Sequence, residues 1–137
     1  VADRELTAHV RERGLLPEPT FAGILEVLEA GEPWAVDLFR DRVRLVARVV
    51  ALLLDVINPE ILVVSEAGLA RRPELLDTLH TEVGRRSHAR PDPERAVVAS
   101  SFGPRALGVA ASAVILDETY RRPLRIRPAR IRRPART

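Results

Sequence analysis

The chain of 137 residues has no cysteine, which excludes a disulfide framework and any thiolate metal site. Its three histidines, His9, His80 and His88, lie far apart and none has a metal-ligand spacing around it, so no metal is expected. Lysine is also missing: all 22 basic residues are arginine. We read that as a compositional bias of the source rather than as a binding signal. No apolar run is long enough to span a bilayer, and no charged-then-apolar signal peptide opens the chain. The expectation is a cytoplasmic protein without a membrane partner. Because the first residue is Val1 rather than Met, a fragment or an unusual start is expected.

What is present divides unevenly. Residues 121 to 137 hold eight Arg and no acid, whereas residues 1 to 120 hold fourteen Arg against nineteen Asp and Glu. The basicity therefore belongs to a tail of +8, and the body carries −5. The tail, rich in Arg and Pro, has too little apolar surface to fold, and residues 125–137 are expected to be disordered after a folded segment, 1–124. Phosphate affinity is conceivable there, but no aromatic follows Tyr120 to stack on bases.

The organising stretch runs from Pro33 to Gly68. Val36, Phe39, Val43, Val46, Val50, Leu53 and Ile57 are spaced three and four apart, which predicts a helix seam. From Val49 to Leu54 the sequence is apolar on every side, which predicts burial by several neighbours. A core helix is expected there, rather than a two-stranded coiled coil. Asn58-Pro59 stops the helix, and Ile61-Leu62-Val63-Val64 reads as a short strand apolar on both faces. Ser65-Glu66-Ala67-Gly68 then lies at its C-terminal end, where ligands bind in open α/β sheets.

Upstream, residues 3–13 predict a helix with Leu6 and Val10 on one face, ended by Gly14. Thr20 is a candidate N-cap for a second helix carrying Ile24, Leu25 and Leu28 and ended by Gly31. Downstream, Pro73 opens a helix with Leu75, Leu76, Leu79 and Val83 facing inward. Ala96 to Ala99 reads as a second strand, and Ser100 to Pro104 as a turn. The last helix is lined by small residues around Gly108. The expected class is α/β, in the order α-α-α-β-α-β-α.

The helix from Asp41 to Asp55, Asn58-Pro59-Glu60 and the Val-rich strand resemble the C-terminal segment of the ROK family. So do Ser100-Ser101-Phe102-Gly103 and the Ala-rich helix to Tyr120, and the resemblance covers most of residues 33–120. That family contains sugar kinases and sugar-responsive transcriptional repressors built on the actin-like ATPase (ribonuclease H-like) fold. Its ATP-binding members carry a Gly pair after this strand, where Ser65 and Glu66 stand here. The family's Gly-Ala-Ala is similar to Gly108-Val109-Ala110. The phosphate-binding loop, catalytic Asp, sugar-binding motifs, zinc motif and any DNA-binding helix-turn-helix would belong upstream of residue 1.

The resemblance implies the C-terminal effector and oligomerisation part of a sugar-responsive regulator, a homo-oligomer touching DNA only through an upstream segment. The alternatives are the same part of an ATP-dependent sugar kinase, or an inactive truncated product. No catalytic residue and no cofactor is expected within the chain itself. Ser65, Glu66 and Gly68 are the candidate site, a remnant nucleotide or effector loop; the competing reading is an ordinary strand-to-helix connection. The Ser100-Ser101 pair reads as turn chemistry rather than a nucleophile, since no partner base is indicated.

Overall fold

The computed structural model of the chain describes residues 3–88 and 90–121. It is mostly helical with a small parallel sheet, a mixed α/β chain. Two compact units divide it, Val1–Pro104 and Arg105–Thr137. The expected Arg/Pro-rich tail lies outside the described residues.

In the first unit, α1 (Asp3–Glu12) buries Leu6 and Val10, as their spacing requires. Gly14, at φ 63°, turns the chain where a side chain would be strained. For α2 (Phe21–Ala30), Thr20 Oγ1 accepts from Gly23 N at 3.0 Å. Gly31 ends that helix at φ 85°, its N–H donating to Leu28 O and that of Glu32 to Val27 O, the paired closure of a Schellman end. Both caps are where the sequence places them.

The long helix α3 (Pro33–Ile57) starts on Pro33 and ends at Asn58, which adopts the left-handed conformation at φ 47°. Its buried stripe differs from the expected seam. Ala35, Phe39, Val43, Ala47, Val50 and Leu54 face the core, while Leu53 and Ile57 are exposed. The stripe is rotated because alanines at Ala35, Ala47 and Ala51 take the close-packed positions, which hydropathy passes over for larger neighbours. Nor is the helix buried all round from Val49 to Leu54, since Val49 and Leu52 are exposed.

The two strands, β1 (Leu62–Val64) and β2 (Val97–Ala99), pair in parallel with Leu62 opposite Val97 and Val64 opposite Ala99. Parallel neighbours need a crossover. Here it runs through α4 (Ala67–Arg71) and α5 (Leu75–Gly84), then a 3-10 turn over Pro93–Ala96. The observed order is therefore α-α-α-β-α-α-β-α, with α6 (Ala106–Arg121) last. The expected order lacked α4, because five residues are too few to show a period. Leu75 rather than Pro73 starts α5, and Pro104 lies in a 3-10 turn ahead of α6.

Among the described residues, the two faces of the sheet differ in burial. Val64 and Val97 are buried, whereas Ile61 and Val63 are 64% and 61% exposed and Val98 is 39% exposed. The expectation of a strand apolar on both faces holds for composition and fails for burial. α3 packs along α5, and one hydrophobic core joins Leu6, Leu28, Phe39, Leu54, Leu79 and Val97.

Within the second unit, α6 makes local bonds: Ser112 Oγ to Gly108 O at 2.8 Å, and Arg121 Nε to Asp117 Oδ1 at 2.8 Å.

Candidate functional site

Ser65, Glu66 and Gly68 sit where β1 leaves the sheet and α4 begins. Glu66 is the N-cap of α4. Its Oε2 accepts from Gly68 N at 2.6 Å and from Leu69 N at 3.2 Å. Its Oε1 accepts from Arg42 Nε at 2.8 Å. The Glu66 side chain is only 5% exposed and that of Arg42 15%, so the pair is held largely out of water. Buried charges are tolerable when both partners are present and further hydrogen bonds complete them, as the two amides do here.

Arg42 joins four parts of the chain. Besides Glu66 it donates from Nη2 to Asp3 Oδ1 at 3.1 Å, and its guanidinium lies 5.9 Å from the centroid of the Phe21 ring. α1, α2, α3 and the loop after β1 therefore meet on one cation. The sequence reading did not single out Arg42. It is 24 residues from Glu66, and no local period links them.

Gly68 is needed for close approach. A Cβ there would lie 2.4 Å from Phe39 Cδ1 and 2.8 Å from Glu66 Oε2. The residue is buried, and its backbone lies against the Phe39 ring. Ser65 is exposed.

The cleft beside the loop is lined by Val64, Ser65, Glu66, Leu69, Ala70, Ala99, Ser100 and Gly103, with a volume of about 30 Å³. That admits roughly one or two waters, whereas small-molecule sites run from about 300 Å³ upward. Ser100 continues the ladder, its N–H donating to Val64 O at 2.9 Å, and its Oγ accepts from Phe102 N at 3.3 Å. That is the turn role expected for it.

The remaining candidates serve packing. His80 Nε2 meets Val97 O at 2.9 Å, tying α5 to β2. Asp55 Oδ1 accepts from Ser87 Oγ at 2.7 Å and from His88 N at 3.0 Å, which anchors the segment after α5 to the end of α3. Arg86 donates to both the carbonyl and the carboxylate of Glu82. That hydrogen bond, with the charges of Arg86, Arg85 and Arg44, holds the Glu82 carboxyl below the usual glutamate range. Among the described residues, no group of three or more His, Asp or Glu could hold a metal ion.

A larger groove lies away from the loop, between α1 and α3. It is lined by Leu6, His9, Leu38, Asp41, Arg42 and Leu45, with Glu5 at its side, and measures about 380 Å³. The sequence reading missed it, because its walls come from two helices about thirty residues apart. Among the described residues, no helix is long and apolar enough to cross a membrane. Comparison with protein-family models, with curated proteins and with solved structures finds no match to this chain.

Proposed function

We propose that the chain is the C-terminal effector and oligomerisation part of a ROK-family transcriptional regulator, one that responds to a sugar. In this reading, residues 1–124 form the C-terminal part of an actin-like ATPase (ribonuclease H-like) domain. The resemblance in sequence supports it, together with a capped helix running through Asn58-Pro59 into a parallel strand.

The observation that carries the choice of branch is the position of Glu66. Its carboxylate takes the amides of Gly68 and Leu69 and is itself clamped by Arg42. A nucleotide phosphate needs those donors free and the backbone open. With a carboxylate already seated there, a phosphate would meet like charge and find the amides of Gly68 and Leu69 already taken. The loop thus acts as a structural joint that keeps the nucleotide position closed, which favours the regulator over the kinase. In the longer protein, DNA would be bound by an upstream segment and the sugar by upstream motifs.

Two measurements test this. Determining the reading frame upstream of Val1 should reveal a helix-turn-helix. An Asp-x-Gly-x-Thr loop with a catalytic Asp and no DNA-binding segment would overturn the reading in favour of a kinase. The purified chain should show no hexose-dependent ATP turnover above a no-protein control, since phosphoryl transfer needs a metal-bound nucleotide clamp and a base.

A further inference from the structure

The groove between α1 and α3 continues past Leu38. Together with Leu38, His9 and Asp41, the residues Arg13, Trp34 and Asp37 line a second part of about 270 Å³, so one trough follows the two helices. They run in opposite senses along it: Leu6 stands with Leu45, and Arg13 with Trp34. The first part alone, at about 380 Å³, reaches the size of a small-molecule site.

The two ends of the trough differ in chemistry. One is walled by Leu6, Leu38 and Leu45, and the charges beside them are engaged: Arg42 by Glu66 and Asp3, and Glu5 by a contact of its own. The other end, around Trp34, carries groups of both signs. Asp37 and Asp41 lie one turn apart on α3, and each accepts through Oδ1 from an arginine of its own helix, Arg40 or Arg44. Both aspartates are more than two-thirds exposed, and surface pairs of that kind hold weakly, so their second oxygens can take a further donor. Arg13 and His9 lie one turn apart on the α1 side. Among the described residues, neither their side chains nor the Trp34 indole N–H has a hydrogen-bond or ion-pair partner.

We propose that this trough binds a free α-amino acid with an apolar side chain, of the size of leucine. A zwitterion suits the Trp34 end as no single charge does. Its ammonium donates to Asp37 and Asp41, and its carboxylate accepts from Arg13 and the Trp34 indole, all charge-assisted bonds. An anion alone would meet the two aspartates, and a cation alone would meet Arg13. The side chain then lies along Leu38 toward Leu6 and Leu45, removing apolar surface from water. A sugar would satisfy the polar end and leave that leucine-lined end wet.

This goes beyond the proposed function, because the trough lies wholly within residues 1–104 and needs no upstream segment. The two fail separately: an upstream kinase signature would leave the amino-acid site standing, and a chain that binds no amino acid would leave the upstream frame unchanged.

Trp34 is the chain's single tryptophan, so its fluorescence reports on this trough. The test titrates the full chain with L-leucine by that signal, beside equilibrium dialysis of the labelled amino acid. Saturable binding is expected, with a dissociation constant of the order of 1 mM for so small a ligand. Isocaproate, which lacks the amino group, and isoamylamine, which lacks the carboxylate, should each bind about tenfold or more weakly. Asp41→Asn should weaken leucine about tenfold without weakening isocaproate, and Arg13→Gln should weaken leucine about tenfold without weakening isoamylamine. Both positions are exposed, so circular dichroism should show an unchanged fold. No saturable binding of leucine in dialysis would overturn the proposal. So would either analogue or a hexose binding as tightly as leucine, or variants that bind leucine like the parent chain.

Discussion

Phe39 leaves no space for a side chain at Gly68, the Cβ of which would stand 2.4 Å from the ring. The ring is fully buried, so it has nowhere to withdraw. Gly68→Ala should lower stability by about 1–3 kcal/mol, the usual cost of overpacking, read from the urea midpoint at constant slope. An unchanged midpoint would mean that the Gly68 backbone can move away from the Phe39 ring freely. Glu82 gives a pH signature. Its folded carboxyl titrates below the unfolded value, through its hydrogen bond to Arg86 and the charges around it. A group shifted this way contributes stability above its unfolded pKa, and the contribution is lost as pH falls through the folded value. Glu82→Gln should therefore narrow the stability difference between pH 7 and pH 3. Parallel acid limbs for parent and variant would remove Glu82 from the account.

At the level of elements, the caps were the most legible features. Thr20 opens a helix, and Gly31 and Asn58 each close one, as their chemistry dictates, because a cap is decided by groups close by in the chain. Thr20→Ala should cost about 1 kcal/mol, and Thr20→Ser should restore most of it, since Ser also offers an oxygen to Gly23 N. Equal losses for both variants would show that the Thr20 methyl, not its hydroxyl, is what matters. The face of α3 was less legible. Three of the expected seam residues, Phe39, Val43 and Val50, are buried, but Leu53 and Ile57 are exposed and alanines fill the gaps. Hydropathy ranks leucine above alanine. Close contact with α5 selects for size.

Across the whole molecule, the charge division makes a prediction about nucleic acid. Deleting residues 125–137 removes six Arg, and the sixteen that remain face nineteen acids, a net charge of −3. A negative body lacks the counterion-release contribution that drives sequence-independent binding. The deletion should leave the melting transition unchanged and abolish most non-specific DNA affinity, measured by salt titration of both forms. Equal affinity in the two would place the contact on the body. The same scale holds the uncovered sheet face of Ile61, Val63 and Val98. Parallel sheets are normally covered on both faces, so a two-stranded one with an open apolar side is an incomplete layer.

By itself the sequence determined the features that depend on near neighbours: five of the six described α-helices in outline, both strands, the stops at Gly14, Gly31 and Asn58, and the position of the loop after β1. It also placed Ser65, Glu66 and Gly68 together, since they are consecutive or nearly so. Tertiary structure alone decided what that loop does. Arg42 reaches Glu66 from 24 residues away, and Phe39 fixes Gly68 from 29. It likewise decided which apolar side of α3 is core and which is left outside, because both sides satisfy a helical period. Periodicity reports that a face is apolar. Only the arrangement of the other elements determines what covers it, and here α5 covers one side of α3 while the opposite side stays exposed.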